Sequence, residues 1–386
     1  MTVHHPHSPT LWALRAGNFA IGTGVLAPAG LMHDLSQAFA VDAATVGTLI
    51  AYGGALLCIE APVLAFLTNR MDRRRLLVGA LLLYALGHAV SALAADFHAL
   101  LAIRLVMIAA VACFTPQAAS ALPLLIAPEQ RAGDITFIFL GWSLAGAIGI
   151  PLINLIGALV GWQAAYLLLA AASGLAGVAV FLTMPPGLQA HRLSITAWHN
   201  VLTSGSIWGI LGISGIAIAG QYMQYPYIVV ELKTRLHTDP FTTATLLAIY
   251  GCASILGTIL ATRVVHLLGV RTTVSTFLGA ILLGLILWTA KPSLLPLVGV
   301  TMFVWGIGMS PAIAAQQARL IEANPIAASA STSLNTSIVY LGQAAGTFAG
   351  GEMLIREHAT FSATLAIGML ALALALSLLL HLRLRL

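Results

Sequence analysis

Glu60, Arg104 and His88 stand inside long apolar stretches of this chain, and Asp34 closes another. Charge is expensive in an apolar medium, so each such side chain must be partnered, neutralised or used. Glu60 has the chemistry of a proton carrier, a carboxyl group that can be neutral or charged. The alternative is an anchor that reaches the headgroups or pairs with Arg70 or Arg73. Arg104 calls for a partner network or a functional role. At ~1.5 Å of rise per residue, Glu60 and Arg104 differ in depth by ~10–15 Å, too far for a direct salt bridge. Arg104 lies closer in depth to His88 and Asp34, and Asp34 is its expected partner. His88 serves either as a proton relay or as a packed, hydrogen-bonded core residue. Glu60, Arg104, Asp34 and His88 are the proton-coupling candidates.

Uncharged hydrogen-bonding groups gather in particular stretches: Asn18 and Thr23, then Gln117, then Gln221, Tyr222, Gln224 and Tyr225, then Gln316 and Gln317, then Asn335, Tyr340 and Gln343. On an unbroken helix Gln221, Gln224 and Tyr225 share one face by i, i+3, i+4 spacing. Amides with aromatics suit a neutral or weakly charged polyol, nucleoside or drug-like molecule. They serve equally as hydrogen-bonding glue between helices. Cys58, Cys113 and Cys252 fall in apolar stretches, where packing is their expected role. No CxxC, HExxH or Walker motif occurs, so neither a metal nor a cofactor is expected, and ATP does not drive the protein directly. The carboxylates are scattered over different stretches, which speaks against a membrane enzyme.

The elements that position these groups follow from composition. Apolar residues make up 59%, charged residues 8%, and mean hydropathy is +0.96, which leaves too little charge to cover a soluble surface. The net charge of +5 is spread over short loops and is no nucleic-acid signal. Apolar spans are expected at about 11–33, 44–67, 76–95, 99–126, 134–158 and 162–183. A polar stretch, 184–205, follows, and six more spans lie at about 206–230, 241–262, 272–290, 294–318, 329–352 and 360–382. The first is too long for a signal-peptide core and reads as an uncleaved span. Within 184–205, Leu193, Ile195, Trp198, Val201 and Leu202 form a short apolar pattern suited to the membrane interface.

The run Asn69-Arg70-Met71-Asp72-Arg73-Arg74-Arg75 orients the chain, because arginines belong at the cytoplasmic headgroups. That orientation puts Arg15, Arg70, Arg73, Arg74, Arg75, Arg131, Arg192, Arg263, Arg271, Arg319, Arg383 and Arg385 inside. Only Lys233, Arg235, Lys291 and Arg356 fall outside, with Arg104 alone in a span. Both termini are then cytoplasmic. Leu140-Gly141 with Ala145 and Gly149 returns as Leu341-Gly342 with Gly346 and Gly350, 201 residues later. The chain thus reads as two six-helix halves, 1–183 and 206–386, joined by a linker at 184–205.

The Asn69–Arg74 run resembles the loop signature of the major facilitator superfamily, G-x-x-x-D-R-x-G-R-R. Ala65 replaces its first glycine, Asn69 its aspartate and Asp72 its second glycine. The Asp-Arg-Arg-Arg ending, Arg104, the Pro128-Glu129-Gln130-Arg131 loop and the Gly141–Gly149–Pro151 run are similar to the drug:proton antiporter branch, arabinose-efflux-permease-like members above all. The resemblance implies an all-α fold of twelve membrane helices in two pseudo-symmetric halves. It implies a central cavity lined by helices 1, 4, 7 and 10. Asn18, Thr23, Gln117, Gln221, Gln224, Tyr225 and Asn335 become substrate-cavity candidates. Asn69, Arg70, Asp72, Arg73, Arg74, Gly141, Gly149 and Pro151 become conformational-motif residues. The expected activity is proton-coupled efflux of a small organic solute by a monomer in a bacterial inner membrane. Uptake by symport or uniport is the alternative, and a non-transport membrane protein a remote one.

Overall fold

The computed structural model describes residues 8–68, 70–125, 131–189, 199, 201–324 and 328–383, and those residues are helical or in turns, bends and short connections. Twelve long helical segments stand where twelve spans are expected. They are α1 (Pro9–Gly30), α2 (Ala43–Leu67), α3 (Arg73–Ser91) and α4 (Phe97–Ala121). α5 runs through Arg131–Leu144, a π-helical turn Ala145–Gly149 and Ile150–Leu159; α6 is Trp162–Thr183. α7 comprises Gly205–Tyr222, a 3-10 turn Tyr225–Tyr227 and Ile228–Leu236. The helical run Pro240–Thr289 is two helices, α8 and α9, because Gly269 (φ 78°, ψ 165°) turns the chain in a conformation that favours glycine. α10 is Leu295–Ala323, α11 Ala328–Ile355 and α12 Ala359–Arg383.

Among the described residues, nine helices are long and apolar enough to cross a membrane by composition alone. The other three, α1, α3 and α11, carry the polar residues: Asn18 and Thr23, the arginine cluster, and a run rich in Ser and Thr. The scarce carboxylates are spent on helix starts. Asp42, Asp72, Asp96 and Asp239 are N-caps whose side chains accept the amides of Thr45 (2.6 Å), Arg75 (2.9 Å), Ala99 (2.8 Å) and both Phe241 and Thr242 (2.9 and 3.0 Å). The cap at Asp72 starts α3 earlier than expected and draws Arg73, Arg74 and Arg75 into its first turn.

Each half is organised by its glycine ridge. A Cβ at Gly141 would fall 2.8 Å from Phe19 N and Asn18 Cβ; Ala145 meets Gly22, and Gly149 sits against Thr23. The α5 ridge therefore lies on α1 and not on lipid. The α11 ridge does the same on α7: Gly342 lies on Gly215 O, Gly346 on Ala219 O and Gly350 on Met223 O. Small residues let the backbones meet where lipid supplies no hydrophobic drive between helices. The halves meet where α2 crosses α11 and α5 crosses α8. A Cβ on Gly54 would lie 2.9 Å from Tyr340 O, and Gly251 rests on the backbone of Gly146 and Ala147. That second crossing falls on the π turn. Pro151 has no N–H to return to Ala147 O, so the backbone loosens there.

Three details differ from expectation. α10 continues to Ala323 and carries Arg319 inside it, buried, so this arginine is no loop residue. α7 breaks at Met223–Gln224, because Pro226 disfavours helix in the residue before it. In the linker, 190–198 and 200 lie outside the described residues. Val201, however, is fully buried against Ile207, Ile210, Leu211, Leu320 and Ala330, packed into the second half and not laid on the interface.

Candidate functional site

Arg104 is 4% exposed, and both its Nη groups bind α1: Nη1 donates to Gly24 O and Nη2 to Val25 O, each at 2.8 Å. The Gly24 carbonyl is free because Pro28, four residues on, lacks the amide that would claim it. Around the guanidinium stand Tyr84, His88 and Tyr166, with His88 4.5 Å from the Tyr84 ring and 5.6 Å from Tyr166. His88 is fully buried, and neither ring nitrogen has a hydrogen-bond partner. Tyr84 donates to Ile21 O at 3.2 Å. Only a glycine at position 24 leaves room for both His88 and Tyr84.

Glu60 lies elsewhere, as its depth requires. Gly53 of α2 is level with Arg104, its Cβ position 3.8 Å from Arg104 Nε. Glu60 is seven residues further along the same helix, about 10 Å at 1.5 Å per residue. It is half-buried, and its Oε2 is buried without a partner. Asp34 is not the partner of Arg104. It pairs with Lys233 at 3.3 Å, across the two halves, at the end remote from the arginine loop. Burial, aided by the Lys233 ammonium and opposed by Asp34, holds the neighbouring His33 imidazole below its ordinary value. The remote end is also sealed by Tyr227, which donates to Thr347 O at 2.7 Å and packs over Gly47 among first-half core residues.

The uncharged candidates divide into glue and open groups. Asn18 is glue: its Nδ2 donates to Ile138 O (3.2 Å), and its Oδ1 accepts from Thr115, which accepts from Trp142. Thr23 bonds back to Phe19 O, and Gln117 accepts from Ser120. The break in α7 separates the three residues expected on one face. Gln221 and Tyr225 converge on Tyr250, with Gln221 Nε2 donating to its hydroxyl at 3.0 Å and Tyr225 5.1 Å from its ring. Gln224 turns away to Ser362 (2.9 Å) and lines a cavity of about 440 Å³ at the remote end, beside Glu231, Arg235 and Trp288. Gln221 Oε1 remains buried and unpartnered on the amide that donates to Tyr250, whose ring packs with Tyr225 and Trp305. Asn335 is 1% exposed with both amide atoms unpartnered. Gln316 joins α10 to α7 through Ile210 O and Ser214. Tyr84, Tyr166, Tyr250, Trp305 and Lys233 were not legible as site residues. The only signal was an aromatic or cation inside or beside an apolar span.

The loop motif acts as a clamp. Asp72 accepts from Arg75 N and from Gly187 N, Arg73 N donates to Leu188 O at 2.9 Å, and Arg73 Nη1 reaches Thr68 O at 3.3 Å. Burial pushes the Asp72 carboxyl up, but the amides of Arg75, Gly187 and Leu188 together outweigh it and hold the group below the usual range. Arg74 lies over Phe181 at 4.2 Å. Arg70 is exposed, and Asn69 lies outside the described residues. Among the described residues no cluster fit for a metal occurs.

The chain is 25% identical over 357 residues to the inner membrane transport protein YdhP of Escherichia coli (strain K12), covering 92% of this chain and 90% of that one. It is 24% identical to a probable sugar efflux transporter of Helicobacter pylori (strain G27), covering 92% and 91%. Its fold matches the crystal structure of a D-xylose-proton symporter with a TM-score of 0.75 at 15% identity, over 96% of both chains. The Major Facilitator Superfamily model matches residues 16–347. A twelve-helix membrane fold of paired halves, with that match across most of its length, makes this chain a member of the Major Facilitator Superfamily, a transporter of small solutes.

Proposed function

We propose that the protein is a proton-coupled antiporter that exports a small, neutral or weakly charged organic solute, with sugars and related polyols foremost. The observation that carries the solute class is Gln221 Oε1. It is a buried acceptor without a donor, on an amide bonded to Tyr250, whose ring packs with Tyr225 and Trp305. A buried acceptor left unmet costs about 1–3 kcal/mol, and a solute hydroxyl would satisfy it while its apolar face stacks on the rings. The curated name of the Helicobacter pylori relative points the same way. Glu60 supplies the one half-buried carboxyl group of α2, with an unpartnered oxygen.

In this reading the arginine-rich end and both termini are cytoplasmic, and the membrane is a bacterial inner membrane. The contacts of Asp34, Lys233 and Tyr227 hold the two halves together on the periplasmic side. The monomer is the working unit, with 1–183 and 206–386 as its moving halves. Inverted vesicles with an imposed pH gradient and a panel of sugars, nucleosides and lipophilic cations test it. Accumulation of a polyol that collapses with the gradient is the expected result. Accumulation that ignores the gradient would overturn antiport, and uptake driven with the gradient would establish symport instead.

A further inference from the structure

Arg319 is a cation whose surroundings do not account for its charge. It lies four residues before α10 ends and is 2% exposed. Its Nη1 donates to Ser377 Oγ on α12 at 3.1 Å, while Nε and Nη2 are buried without partners. The ion pairs among the described residues, Lys233–Asp34, Arg235–Glu231 and Arg356–Glu352, do not include it. Glu322, one turn further, is exposed. Arg104 differs, since backbone carbonyls take both its Nη groups. A buried guanidinium without counter-charge is strongly unfavourable, and its free N–H groups invite an oxyanion.

The neighbourhood has the parts of such a site. Ser377 Oγ is 3.2 Å from Ser275 Oγ on α9, and Ser275 bonds to Arg271 O at 3.3 Å. Arg271 enters α9 directly after the Gly269 turn and is half-buried, as is Ser275, so the cluster has an open flank. Ser275 and Ser377 thus link the start of α9 at Arg271 to Arg319. Two cations brought together, with no acid paired to either among the described residues, is an arrangement an anion stabilises. The rim is apolar and outward-facing: Leu267 is 81% exposed, Leu268 58%, Leu378 50% and Leu379 56%. Such a rim accommodates acyl chains beside a headgroup.

We propose that this corner of α9, α10 and α12, at the arginine-rich end, binds a phosphate group. The free Arg319 N–H groups and Arg271 act as donors, and Ser275 and Ser377 orient it. The apolar rim favours the phosphate of an anionic phospholipid in the adjacent leaflet over free phosphate.

The test uses the full-length protein purified in detergent. Phosphatidylglycerol, phosphatidylcholine and inorganic phosphate are each titrated against its thermal unfolding, and retained lipid is read by native mass spectrometry. Phosphatidylglycerol should raise the midpoint and be retained, with phosphatidylcholine giving neither. Arg319→Gln should weaken that effect about tenfold or more, the loss of one charge-assisted contact. Arg271→Gln, at a half-buried position, should weaken it too and guards against a folding defect in the first variant. Protection by inorganic phosphate alone would assign the site to a free phosphate instead of a lipid. Equal effects of the two lipids with inert phosphate, or unchanged phosphatidylglycerol binding in both variants, would overturn the proposal.

Discussion

At the scale of single residues, the costly side chains in the first half are kept apart and do different work. Arg104 is a fastener: its fork meets two successive carbonyls of α1, one of them released by Pro28. A lysine ammonium is a point charge and cannot make both bonds with the same geometry. Arg104→Lys should therefore cost about 1–3 kcal/mol of stability, read as a lower unfolding midpoint in detergent. Glu60 has no such fastening, and its Oε2 is unpartnered. Glu60→Gln keeps its shape but cannot release a proton. Uphill transport driven by a pH gradient should fall to background, while solute exchange without a gradient persists. Normal uphill transport in that variant would leave Glu60 as an interfacial anchor.

At the scale of elements, two pieces of local chemistry decide how helices sit. Gly149 lies directly on Thr23, so Gly149→Leu must push α5 away from α1 at the π turn. Transport should be lost while membrane insertion and yield stay near wild type. Full activity would mean that the ridge tolerates separation. The Asp72 clamp ties the start of α3 to the Gly187–Leu188 strip that follows α6. Because the folded carboxyl is held below its unfolded value, its stabilisation is present at neutral pH. It is lost as the pH falls below about 3.9 toward the depressed folded value. Asp72→Ala should speed hydrogen exchange at the Gly187 amide at neutral pH and remove about 1 kcal/mol of capping. Acid should make the wild type resemble the variant.

At the scale of the whole molecule, the end remote from the arginine loop is closed among the described residues by the Lys233–Asp34 ion pair, by Tyr227 over Gly47 and by Gly351 against Ala44. Lys233 and Asp34 are 12% and 14% exposed, so their attraction is only partly screened. Asp34→Lys puts like charges face to face. Spin labels at Gln37 and Thr234, both exposed, should then report a longer-distance population by double electron–electron resonance. The swapped pair Asp34→Lys with Lys233→Asp should restore the short distance. A distribution indifferent to both variants would assign closure to the packing of Tyr227 over Gly47 and Gly351 against Ala44.

Composition and span length determined the membrane class and the number of helices. Those are properties of segments, and solvation acts on a segment whatever surrounds it. The Gly141–Ala145–Gly149 ridge was legible for the same reason, since close helix approach is written into residue size. The site was legible only as an inventory. Gln221, Gln224 and Tyr225 share a helical face in sequence, yet Pro226 breaks the helix and sends Gln224 to Ser362 and its neighbours to Tyr250. Asp34 and Arg104 are close in estimated depth, but Lys233, from the other half, holds the one and α1 carbonyls hold the other. Arg319 falls just past the expected end of the tenth span, yet α10 carries it inside. In each case the partner lies on a helix distant in sequence. Hydrogen bonds and ion pairs are short-ranged and directional, so only packing of the helices decides which partner a side chain meets.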